Sequence, residues 1–386
     1  MTRRFIGILV ILVWVGAATA EQPRDLTEVL GAIRAVGPEG SGNAAAAVAW
    51  KQLAAGDATT LLSILGAMDG ANDLALNWLR AAVDSVAGRV LRTGGNLPMP
   101  DLGIFLRETR HNPRARRLAF ELLKRNDAAT ADKLLSGMLN DPSLEIRYDA
   151  VQKVIDQAGQ SLASSNQPAA LLLFQQALNS ARDVQQIDSI TQKLEELGSP
   201  VDSLKLFGFL TTWKVIGPFD NPGRKGFDAV YPPEQKVDFA AEYDGKASKV
   251  KWRDYVVTHK YGKVDMNQAF GKLKEVTAYA WTDFVSDRAQ AVELRLGGKN
   301  SWKVWLNGQL LFGRDEYHFD SEIDQYPMPA QLQPGHNSIL VKVCQDEETE
   351  DWTNEWDFQL RITDALGTPI VSGITTPNPS ATSPRK

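Results

Sequence analysis

The chain has 386 residues, 43% hydrophobic and 23% charged, ordinary proportions for globular protein and enough length for two or three cores. Its formal net charge is −5, so it carries no basic field to displace counterions from phosphate, and nucleic acid is not an expected partner. The lone cysteine, Cys344, excludes an internal disulfide and a c-type haem; it is out of phase with Ile339, Val341 and Val343, so it reads as a buried, inert thiol on the opposite face of that strand or at its end.

The first residues read as a processing signal. Thr2-Arg3-Arg4 is a basic start, residues 5–16 are apolar, and Ala18-Thr19-Ala20 is a small-residue cleavage site. A signal peptide over 1–20 is expected, giving a secreted or periplasmic protein that begins near Glu21; the alternative is an uncleaved anchor. The apolar run is short for a membrane span, and no later segment is apolar enough to make one.

Residues 21–200 read as helical. Leu74, Leu76, Leu79, Ala82, Val83 and Val86 recur at helical spacing, and Gly37-Pro38, Asp69-Gly70, Gly94-Gly95 and Asn112-Pro113 mark breaks. Two segments share a pattern: Asn112-Pro113 before Arg114, Arg116 and Arg117, and Asp141-Pro142 before Arg147, each followed by aliphatic residues. Asn or Asp is expected to cap the helix, with Pro in its first turn. The pattern resembles HEAT-type helical repeats, which implies an α-solenoid of stacked helix pairs with a protein partner on its surface. The arginines either form a basic ridge or bond the carbonyls and caps of neighbouring repeats. Residues 167–197 add a further helix pair, and 201–212 read as a linker.

From Trp213 the pattern changes to short strands. Alternation marks Trp213-Lys214-Val215-Ile216, the segments 250–257, 278–285, 290–296 and 302–312, the run toward Val343, and Phe358 to Thr363. Asn307-Gly308 fits a two-residue hairpin turn, because both central positions need positive φ. Seven of the ten tryptophans lie here, which fits a sheet core. The fold class expected is α+β multidomain, with an antiparallel β-sandwich over 213–374 and a Pro/Ser/Thr-rich tail over 375–386.

Val304-Trp305-Leu306-Asn307-Gly308 and Leu332-Gln333-Pro334-Gly335-His336-Asn337 resemble the hallmarks of the galactose-binding-like jelly roll. That domain accompanies β-galactosidase-type glycosidases and occurs in many carbohydrate-binding modules. Trp213 with Gly217-Pro218-Phe219-Asp220 looks like exported planctomycete-type proteins that join helical repeats to such a domain. The resemblance implies a scaffold able to bind a glycan; the glycosidases' catalytic barrel is absent from the chain.

No His-Glu-x-x-His, Gly-x-Ser-x-Gly, phosphate-binding glycine loop or metal-spaced Cys/His cluster is found, so neither catalytic residues nor a metal centre are assigned. Two loops remain as ligand sites, around 314–320 and 345–356. Arg314, Asp315, His318, Trp352 and Trp356 are the candidates, since sugars favour flat aromatics beside planar polar groups. Trp356 has a competing reading as core beside Phe358. The acidic run Asp346-Glu347-Glu348 could offer oxygen to Ca²⁺, though it lacks the Asp-x-Asp-x-Asp-Gly spacing. The leading expectation is a non-catalytic binding or scaffold protein; the alternative is an accessory to, or a divergent, polysaccharide-degrading enzyme acting through Asp315 or Glu348.

Overall fold

The computed structural model describes residues 25–373; the expected signal peptide (1–20) and tail (375–386) lie outside the described residues. The chain divides into two compact units between Gly137 and Met138. Among the described residues no helix is long and apolar enough to cross a membrane.

The first unit is helical: α1 (Leu26–Arg34), α2 (Asn43–Ala54), α3 (Thr60–Ala67), α4 (Asp73–Arg92), α5 (Met99–Arg107), α6 (Pro113–Asn126) and α7 (Ala128–Leu135). The stops are local chemistry. Asn72 caps α4 by accepting the Ala75 N–H at 2.9 Å, and Asn112 caps α6 through the Arg114 N–H with Pro113 in the first turn. Leu61, Ile64, Leu79, Val83, Leu102 and Leu118 are buried, in keeping with the helical spacing. The arginines do not form a ridge. Arg116 is fully buried and donates Nε–H to the Leu106 carbonyl at 2.9 Å, Arg114 faces Asp73, and Arg117 faces Glu121.

The second unit opens with α8 (Leu144–Ala163), α9 (Gln167–Ser180), α10 (Val184–Glu196) and α11 (Ser203–Phe207). Asp141 does not cap α8 directly: it accepts the Ser143 N–H at 2.8 Å, and the helix starts after Ser143, so Pro142 precedes its first turn. Arg147 is buried on α8, again off any exposed ridge. The expected linker 201–212 holds α11, and Phe207 and Phe209 enter the helical core with Val151, Ala170, Phe174 and Ile190. Phe209 also bridges to Arg361 of the last strand. These helices therefore belong with the sheets, which is why the division falls at residue 137 and not at 201–212.

The strands are β1 (Thr212–Asp220), β2 (Glu242–Asp244), β3 (Lys249–Lys251), β4 (Arg253–Val256), β5 (Val264–Asp265), β6 (Val276–Ser286), β7 (Gln290–Gly298), β8 (Trp302–Leu306), β9 (Gln309–Arg314), β10 (Tyr326–Leu332), β11 (Gly335–Gln345) and β12 (Asp357–Thr363). Two short helices, α12 (Pro232–Gln235) and α13 (Met266–Phe270), interrupt them. All pairings between the strands are antiparallel. One sheet runs β4-β1-β6-β11-β8-β9 and another runs β10-β7-β12-β5. Their facing residues make one core, with Trp213, Ala280, Val304 and Val341 from the first sheet and Leu294, Leu296, Phe358 and Leu360 from the second. The class is α+β with antiparallel sheets.

The Asn307-Gly308 hairpin forms as its sequence requires, with φ of 53° and 78°. β10 was not signalled by alternation, because Pro327 and Pro329 lie inside it; it pairs only with β7, and an edge strand tolerates prolines on its unpaired side.

The central strand β11 points Ile339, Val341 and Val343 into the core and Leu340, Lys342 and Cys344 outward. Lys342 is nevertheless fully buried, because residues 222–240 cover it. Its Nζ donates to the carbonyls of Phe227 (3.1 Å) and Ala229 (2.6 Å) and to Glu234 Oε1 (2.8 Å), and the same carboxylate accepts the Tyr279 hydroxyl. Burial lowers the Lys342 ammonium and raises the Tyr279 phenol, while Glu234 favours the ammonium form. Burial also pushes the Cys344 thiol up, consistent with an inert sulfur. Lys342→Met should destabilise the protein by about 3–5 kcal/mol in urea unfolding, because Glu234 is left buried without its cation. The double variant Lys342→Met/Glu234→Gln should recover much of that loss; equal stability of the single variant and the wild type would show the pair to be inconsequential.

A second buried ion network joins α11 to the smaller sheet. Asp324 accepts from Arg361 Nε at 2.6 Å and from Arg295 Nη1 at 2.8 Å, and Arg361 Nη1 also donates to the Phe207 carbonyl at 3.0 Å. Burial alone would raise the Asp324 carboxyl, but the guanidiniums of Arg361 and Arg295 hold it below its ordinary value. A depressed folded-state value adds stability at pH above the unfolded value of about 4, and that stability is lost as pH falls through the folded value. Asp324→Asn should therefore lower the melting temperature at pH 7 and flatten its acid-side decline; an unchanged acid limb would contradict this.

Candidate functional site

One end of the larger sheet gathers the end of β1, the start of β6, the end of β11, the start of β8 and the end of β9. The loops that leave there are built on buried amides. Asn221, fully buried, donates from Nδ2 to the Gln345 carbonyl (2.9 Å) and to the Tyr317 hydroxyl (3.3 Å), and its Oδ1 accepts the Gly226 N–H (2.6 Å). A β-carbon on Gly226 would lie 2.5 Å from both Asn221 Oδ1 and Thr277 Oγ1, so only glycine fits. Asn300 Nδ2 donates to Gln345 Oε1 (3.0 Å) and the Glu355 carbonyl (2.9 Å), fixing the strand end against the following loop.

Asp346, just beyond β11, is 0% exposed and sits at the centre. His318 Nε2 lies 2.7 Å from Asp346 Oδ2, and Arg224 Nη2 lies 2.9 Å from the same oxygen. Arg224 also reaches Glu348 Oε1 (2.9 Å) and Glu347 Oε2 (3.2 Å), with its guanidinium 5.0 Å over the Tyr317 ring. Burial works against that charge, but Glu347, Asp346 and Glu348 outweigh it and hold Arg224 above its ordinary value. Trp352 meets the His318 ring edge-on at 5.1 Å and is 61% exposed. Arg224 and His318 both have φ of 64°, a left-handed conformation that L residues adopt at a cost, so the surrounding bonds must hold them there.

Of the residues expected from sequence, His318 and Trp352 come together. Asp315 remains exposed on the adjoining segment. Arg314 turns away, pairing with Glu316 and lying over the rings of Phe319 and Tyr326. Trp356 is not a ligand residue: it is 0% exposed, packs in the shared core near Phe270, and donates Nε1–H to the Val343 carbonyl at 3.4 Å. Arg224 and Tyr317 were missed. The only trace of Arg224 in the sequence is its turn context, Asn221-Pro222-Gly223, about a hundred residues upstream of its partners.

His318, Asp346 and Glu348 offer ligand atoms within 4.8 Å of one another. One imidazole nitrogen with two carboxylates suits a borderline divalent ion better than Ca²⁺, which prefers six or more oxygens. Arg224 already holds Asp346 Oδ2, so an ion there would compete with the guanidinium. The cluster presents a cation, carboxylates and an imidazole beside an open indole, which are the groups that hydrogen-bond and stack a polyhydroxylated ring.

Asp346→Asn should weaken the Arg224 and His318 pairs and loosen both loops. Amide exchange in 315–320 and 346–354 is expected to speed up roughly tenfold while β11 stays protected; unchanged loop exchange would show that Asp346 does not organise the cluster.

No family model matches the chain, and no curated protein matches its sequence. Solved structures match in part. A PA14 domain of the MpAFP antifreeze protein aligns at 10% identity and TM-score 0.20, over 25% of this chain and 47% of that one. A β-glucosidase from Kluyveromyces marxianus in complex with glucose aligns at 11% identity and TM-score 0.24, over 39% of this chain and 16% of that one. A GH31 α-xylosidase from Xanthomonas citri aligns at 10% identity and TM-score 0.19, over 40% and 16%. The chain thus spans less than half the length of each.

Proposed function

We propose that this is an exported, non-catalytic binding protein. Its two antiparallel sheets form a jelly-roll sandwich that binds a glycan, and its helices form HEAT-like repeats that hold a protein partner. The observation that carries the reading is the exposed Trp352 indole set against His318, beside Arg224 and the carboxylates it organises. Arg224 and His318 are both held by the buried Asp346 at one end of the larger sheet. Stacking on the indole and hydrogen bonding to planar charged groups are complementary demands that a sugar meets with its C–H face and its hydroxyl edge.

A glycan array with the full chain, followed by calorimetry on each hit, tests this. Binding is expected to weaken about tenfold or more in Trp352→Ala and in Arg224→Ala, the loss of roughly one good contact. Absence of any glycan hit, or wild-type affinity in both variants, would overturn the reading.

A further inference from the structure

The outer face of the larger sheet carries a second arrangement that the loop cluster does not use. Register puts Leu340 of β11 directly between Trp281 of β6 and Trp305 of β8. Side chains of register partners stand on the same face, and neighbouring strands are about 4.8 Å apart, so the two indoles flank one leucine about two strand spacings apart. They form a continuous apolar floor. Residues 233–239 overhang it: Phe239 meets Trp281 edge-on at 4.8 Å and Trp252 at 5.6 Å. Between floor and overhang lies a cavity of about 460 Å³ that opens to the surface and also touches Val237, Gln235, Asn307 and Ser338.

This volume falls within the range of small-ligand sites. The floor offers flat π-faces, and the rim offers an amide on each side and a hydroxyl. Of the charged groups that line the slot, Glu234 is held by Lys342 and Tyr279, and Lys236 stands in solvent with its side chain 80% exposed, 3.7 Å from Asp238. A cationic ligand finds the lining carboxylate already paired, and an anionic one finds only the solvated Lys236 ammonium, whose screened attraction adds little to affinity. A purely apolar ligand leaves the Gln235 amide and the Ser338 hydroxyl facing it without partners, which costs affinity. A neutral pyranose satisfies both surfaces, with its axial C–H face on the indoles and its equatorial hydroxyls toward Gln235, Asn307 and Ser338.

We propose that this slot is a binding site for a neutral saccharide, which stacks on Trp281 and Trp305 beneath Phe239. It shares no residue with the Trp352 cluster and stands or falls separately from the function proposed for that cluster. The overhang is anchored by the buried Lys342–Glu234 pair, so the slot is preformed and its ligand need not order residues 233–239 on binding.

The test is indole fluorescence of the full chain titrated with neutral gluco-, xylo- and galacto-oligosaccharides, repeated on Trp281→Ala, Phe239→Ala and Arg224→Ala. A saturable change is expected in the wild type and in Arg224→Ala. The apparent Kd should rise about tenfold or more in Trp281→Ala and severalfold in Phe239→Ala. Phe239 is 42% exposed, so its variant should fold even if Trp281→Ala does not. Three results would overturn the proposal: no response to any saccharide, a response lost only in Arg224→Ala, or a response to an apolar dye that saccharides do not displace.

Discussion

The register of β11 between β6 and β8 is the constraint on which the rest of this unit depends. Side chains on a strand alternate, so a slip of one residue would exchange every inward and outward group. In the observed register Val341 and Val343 reach the shared core, while Leu340 and Lys342 face the covered outer side. The strand is pinned at its start by Asn337, fully buried, which donates from Nδ2 to the carbonyls of Gln333, Gly335 and Phe284 and accepts the Gln333 N–H. Asn307 reinforces the same corner from the hairpin, through its own amide and the Ser338 N–H. At the far end Gln345 is held by Asn300 and Asn221.

Both proposed sites follow from that one strand. Its end delivers Asp346 to the point where Arg224 and His318 converge, and its outer side delivers Leu340 between two indoles. The cover over the outer side is polar at its centre. Lys342 spends its three protons on two carbonyls and a carboxylate, a satisfied arrangement that tolerates burial where an unpaired ammonium would not. The backbone under the loops and the outer face is held by buried amides and one buried ion pair.

Much of the fold was legible in the sequence. Helical spacing, Asn112 as a cap, strand alternation and the Asn307-Gly308 turn are local signals, and each produced the element it announces. What failed was non-local. Gly198-Ser199-Pro200 does end a helix, yet Phe207 inserts into the helical core beyond it, so the compact unit runs through the expected linker. Trp352 and Trp356 are four residues apart in similar surroundings, and only the path of the loop exposes one and buries the other. Arg224 joins acids more than a hundred residues away, a contact that no spacing rule encodes. The row Trp281–Leu340–Trp305 was visible as three separate strand residues, but its alignment is a property of register alone.

The central claim is therefore best tested on register, in solution. With selectively methyl-labelled leucine and valine and labelled tryptophan in the full chain, cross-strand nuclear Overhauser contacts can be read directly. The account predicts contacts from the Leu340 methyls to the indoles of both Trp281 and Trp305, and none from Val341 to either indole. Contacts from Val341 to those indoles, or from Leu340 to the core residues Leu296 and Leu360, would contradict it.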